Sequence, residues 1–229
     1  MSFVIVRLDK FAKQIPTMLL TKLKKSILVQ VFIVYTRYLI GASFVFASIV
    51  KIKGERFMTD MSMINDSPIH SAGHMFETLY QSGIYWRFIG ISQLIAAFLL
   101  MTQRFSKLGA LCFFPIILNI YIITVSYDFT GTIYITSLML LANIALLIWD
   151  WEELKTLFNV APSEIVNRNR LEKMKIWELC GLVLFTFTAI LRNFELDFVN
   201  LIIWILGCLT IGVTFLVIGL RQNSRLARE

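Results

Sequence analysis

The sequence predicts an all-α membrane protein: an antiparallel four-helix transmembrane bundle followed by a C-terminal transmembrane helical hairpin, six spans in all. Three observations carry this. Of 229 residues, 57% are hydrophobic and only 16% charged, too apolar for a water-soluble domain of this size. Apolar runs long enough to cross about 30 Å of hydrocarbon, which takes about 20 helical residues, recur between charged or turn-like punctuation. Finally, the lysines and arginines between those runs segregate to one side.

Residues 1–25 contain six Lys or Arg and no continuous apolar core ending in small residues. They predict no cleavable signal. They read as a basic amphipathic segment, broken at Pro16, on the anionic cytoplasmic leaflet, or as a solvated basic lead-in. Residues 26–151 form the four-helix core, with spans at 27–50, 84–101, 108–126 and 131–148. A long outer loop, 51–83, and the short turns "TQRFSK" and "YDFT" connect them, as antiparallel neighbours require. Residues 152–175 change composition to a charged cytoplasmic linker containing Pro162 and Ser163. The hairpin, 176–220, has spans at 176–191 and 199–220, and 221–229 is a cytoplasmic tail.

With the N-terminus inside, sixteen Lys and Arg fall in inner segments and four (Lys51, Lys53, Arg56 and Arg192) in outer ones. Positively charged loops stay cytoplasmic, so both termini are expected there. Topology thus accounts for the net charge of +7, and no nucleic-acid partner is called for. Trp149, Trp151 and Trp177 at the inner side, with Tyr85 and Trp86 at the outer, match interfacial aromatic belts. Cys112, Cys180 and Cys208 fall in separate spans with no C-x-x-C pair, which argues against thiol–disulfide chemistry.

Arg37 stands out inside the first span. Stepping at helical spacing gives Gly41, Phe44, Ser48 and Lys51, one stripe of mostly small or polar residues that must face protein or water. Matching stripes carry Gln93 on the second span, Asn119 on the third and Asn143 on the fourth. Counting from the helix ends at about 1.5 Å per residue brings all four near the midplane. A guanidinium at that depth costs several kcal/mol and has five N–H donors to satisfy, so the three amides are its expected partners, directly or through water. The cluster reads either as interhelical glue or as a site for an anionic or carbonyl-bearing ligand.

Lys51, Arg87 and Asp128 mark the outer mouth of the same bundle. In the outer loop His70, His74 and Glu77 fall at i, i+4 and i+7, a spacing that holds a metal if the stretch is helical. The alternative is a surface helix whose Met75, Phe76, Leu79 and Tyr80 dip toward the bilayer.

The pattern R-x3-G-x9-K (Arg37, Gly41, Lys51), followed by "GIYWRFIGISQLIAAFLLMTQRFSKLGALCFFPIILNI" and "GTIYITSLMLLANIALLIWDWEELK", resembles the DoxX-like family of bacterial integral membrane proteins over residues 33–158. The resemblance implies a four-helix bundle in the bacterial inner membrane. It also implies a link to quinol oxidase, thiosulfate:quinone oxidoreductase or other membrane oxidoreductase complexes. Many members carry an acidic residue in the second helix, where this chain has Gln93. The hairpin lies outside the resemblance.

The expected function is that of a DoxX-like inner-membrane accessory subunit or small-molecule-binding protein, partnered by the bilayer and by subunits of a redox or envelope complex. The competing expectations are a membrane oxidoreductase acting with quinone or sulfur compounds and a small-solute transporter. Both histidines lie in the outer loop, leaving no intramembrane pair for haem. Quinone, in a cavity lined by Arg37 and Tyr38, is the cofactor the residues leave room for. The chain shows no internal repeat of the transporter kind.

Overall fold

The structure, a computed structural model, describes residues 22–56, 68, 71–129, 131–159, 171–194 and 198–226; among these are helices and turns and no strand. The helices are α1 (Ile27–Lys53), α2 (Ala72–Gln81), α3 (Ile84–Met101), α4 (Ser106–Ser126), α5 (Thr132–Trp149), α6 (Trp151–Leu154), α7 (Lys175–Leu191) and α8 (Phe198–Leu226). Single 3-10 turns lie at Lys155–Phe158 and Leu171–Lys173.

Five helices, α1, α3, α4, α5 and α8, are long and apolar enough to cross a membrane, which makes this a membrane protein in a lipid-bilayer environment. α7 corresponds to the remaining expected span. At 17 residues it is about 25 Å long, shorter than the other five. α4 continues through Pro115.

α1 packs chiefly against α3, α3 against α4, and α4 against α5, while α5 returns to touch α1. α7 lies across α1 and α3, and α8 packs on α7. Their shared core includes Val34, Tyr38, Val45, Leu100, Phe113, Leu146 and Trp177. Two glycines permit the closest approaches. A Cβ on Gly109 would collide with the backbone of Leu100, and one on Gly181 would sit on the Met101 carbonyl and 2.9 Å from the Tyr38 ring. α8 is peripheral, with 6% of its apolar window buried. The Tyr35 hydroxyl, donating to the Gly212 carbonyl at 2.6 Å, and Trp204 Nε1, donating to the Thr188 hydroxyl at 3.1 Å, fasten it.

Several sequence expectations are corrected here. Trp86, Trp149 and Trp177 are buried in the protein rather than serving as interfacial anchors; Tyr85 and Trp151 are exposed as expected. Asn119 is exposed on the outside of α4. The face that α4 buries carries Gly109, Ala110, Phe113, Ile117 and Thr124, and Asn119 lies about 180° around the helix from Ala110. Small residues, which let backbones meet, chose this face over the amide.

A buried arginine cavity at one end of the bundle

Arg37 faces the interior, 2% exposed, but its partners are not the three amides. Nη2 donates to Asp150 Oδ2 at 2.8 Å, and Nη1 donates to Gln103 Oε1 at 2.8 Å and Glu172 Oε2 at 3.3 Å. The positive charge is therefore paired with two buried carboxylates. In a helix each Cα–Cβ bond tilts toward the N-terminus, so a long side chain on α1 reaches toward the start of that helix. Depth counted from α1's own ends ignores that reach and the extra length of this 27-residue helix.

Each partner is placed by a terminus. Asp150 caps the C-terminal end of α5, where a carboxylate meets the negative end of the helix dipole and gains from a neighbouring cation. Gln103 lies in the tight turn from α3 to α4 at φ 56°, a left-handed conformation sparsely used by non-glycine residues. Glu172 enters from the linker. Its turn, Leu171–Lys173, is docked by the Leu171 N–H donating to Gln30 Oε1 at 2.7 Å, and Trp149 Nε1 donates to Glu172 Oε2 at 3.1 Å. Nearby, the Tyr38 hydroxyl donates to the Trp177 carbonyl in the first turn of α7.

These residues line a cavity of about 250 Å³, together with Arg104, Ser106, Lys107, Glu153, Lys173, Met174 and Glu178. Lys107 and Lys173 both pair with Glu153, the latter at 3.8 Å. The linker and the first turn of α7 thus contribute to the cavity. Four cations and four carboxylates face the space.

Of the other expected site residues, Gln93 and Asn143 are buried, and Asn143 Nδ2 donates to the Ala110 carbonyl at 3.3 Å. They belong to the packed middle of the bundle, away from the cavity lining. At the opposite end Lys51 is 5% exposed, with Nζ donating to the Ala47 carbonyl at 2.8 Å and lying 5.3 Å from the centre of the Trp86 ring. Arg87 is exposed and its guanidinium lies beside Gly54, while Asp128 is exposed at φ 45°.

His70 lies outside the described residues. His74 is exposed on α2, and Glu77 accepts from Arg56 Nε at 2.9 Å and Nη2 at 3.0 Å. That hydrogen-bonded guanidinium holds the Glu77 carboxyl below its usual range. Among the described residues no group of three or more His, Cys, Asp or Glu is placed to hold a metal ion.

Sequence reasoning missed Gln103 and Glu172. A signal existed for Asp150, which closes the same helical stripe as Asn143. Looking for carboxylates toward the N-terminal end of α1, where the arginine must reach, finds it.

Fold and site together define an all-helical membrane protein with a polar, charge-balanced cavity at one end. The chain is similar to the uncharacterized protein YwoB of Bacillus subtilis (strain 168), 33% identical over 81 residues, which is 35% of this chain and 52% of that protein. The matched region thus spans about half the length of that relative. No family model matches the sequence, and no solved structure matches it.

Proposed function

We propose that this chain is a small-molecule-binding protein or accessory subunit of the bacterial inner membrane, with six spans, both termini cytoplasmic, and its binding site in the Arg37 cavity. The observation that carries this reading is the cavity itself. A buried arginine and two buried carboxylates, contributed by α1, α5 and the linker, border about 250 Å³ of space. Interhelical glue has no need of such a space. The basic loops at the same end, including Arg104 and Lys107, support its placement on the cytoplasmic side. The DoxX-like resemblance supports the accessory-subunit part of the reading.

Native mass spectrometry of the protein extracted with lipid tests it. The wild-type chain is expected to retain a small molecule, and Met174→Trp, which fills the cavity while leaving the Arg37 ion pairs in place, is expected to lose it. No retained molecule, or equal retention by the variant, would contradict the reading.

A further inference from the structure

We propose that the Arg37 cavity takes a small uncharged polar molecule, bound through an acceptor oxygen of an amide, carbonyl or hydroxyl seated against Arg37 Nε and Gln103 Nε2. This rests on the binding reading above and adds the class of ligand. By distance and angle neither nitrogen makes a hydrogen bond among the described residues, although the Gln103 amide lies near the Tyr38 hydroxyl, and both residues line the cavity. They are neighbours, because Gln103 Oε1 already accepts from Arg37 Nη1 at 2.8 Å. A buried donor without an acceptor bears the full loss of its hydration, so adjacent unmatched donors at the wall of a cavity mark a seat for an oxygen. The turn that aims Gln103 inward holds a non-glycine residue at φ 56°, the kind of backbone strain that clusters at binding sites.

Charge selects among oxygen-bearing ligands. The innermost group, Arg37 with Asp150 and Glu172, already has one more carboxylate than cation. A ligand carboxylate would place a third anion around one guanidinium. A ligand cation would leave the two unmatched donors unanswered. The lining as a whole, four cations and four carboxylates, is neutral and does not call for a counter-ion. A volume of about 250 Å³ falls below the roughly 300–1,000 Å³ of clefts for drug-sized ligands, so the molecule has few heavy atoms.

The test uses three probes of matched size and different charge: propionamide, propionate and propylammonium. Saturation-transfer NMR is recorded on the full chain in lipid nanodiscs, with empty nanodiscs as the blank. Propionamide is expected to show at least fivefold more transfer than either ion. The signal should disappear in Gln103→Ala and in Gln103→Glu, the second of which is isosteric and keeps an acceptor for Arg37 while removing the amide donor. An unchanged melting profile for at least one variant separates loss of the seat from loss of fold. Transfer to propionate equal to or above that to propionamide, retention in both variants, or no transfer to propionamide would each overturn the proposal. A chain that carries a co-purified molecule lost in Met174→Trp, yet favours propionate, would overturn the uncharged class alone and leave the binding reading standing.

Discussion

Arg37 carries a full charge into a site 2% exposed, and what makes that tolerable is a pair of carboxylates that are themselves buried. Removing the guanidinium strands both of them. Arg37→Met is therefore expected to destabilise by about 3–5 kcal/mol, the usual result of breaking a buried ion pair from one side. Asp150→Asn should cost less, since Glu172 still faces the guanidinium. Chemical unfolding in micelles compares the two; a smaller loss for Arg37→Met than for Asp150→Asn would contradict the ion-pair account. That Arg37 faces inward was legible in the sequence, because a lipid-facing guanidinium is too costly. Its partners were not. Glu172 is far along the chain in a charged stretch with no helical period to place it, and Gln103 sits in a turn whose conformation no pattern encoded.

The helices divide into those their periodicity described and those decided by packing. Four core spans and α8 were legible as long apolar runs, since length and hydropathy alone specify them. The buried face of α4 was not, because contact follows Gly109 and Ala110 rather than the most polar side chain. α7 is seated by Gly181 in the same way. Gly181→Ala is expected to cost about 1–3 kcal/mol by overpacking against backbone. Gly207→Ala should cost less, because the atoms its Cβ would meet belong to the Phe187 side chain, which can turn away. Equal losses in an unfolding series would contradict this seating. At the other end α2 is strapped by Arg56 to Glu77. A carboxyl held below its usual range contributes stability above its unfolded value, near 4.5, that is lost as pH falls through the lower folded value. Amide protection of α2, corrected for intrinsic exchange, should fall as the pH drops below the usual carboxylate range, and Arg56→Gln should remove that dependence. A pH-dependence that survives Arg56→Gln would place its cause elsewhere.

For the molecule as a whole, sixteen inner against four outer Lys and Arg predict that both ends of the chain lie on the cytoplasmic side. A periplasm-dependent reporter fused after Glu229 should be silent, and activity would reject the topology. The larger claim is that the Leu171–Lys173 turn at the end of the linker is part of the core, its Glu172 closing the site that Arg37 opens. The most direct measurement is a double-mutant cycle of Arg37→Met and Glu172→Gln, read as chemical unfolding of the full chain in micelles. Because Nη1 and Oε2 are 3.3 Å apart within one buried network, the double variant should lose less than the two single variants together, with a coupling of about 1–3 kcal/mol. Losses that add to within about 0.5 kcal/mol would mean that Glu172 and Arg37 do not share a site.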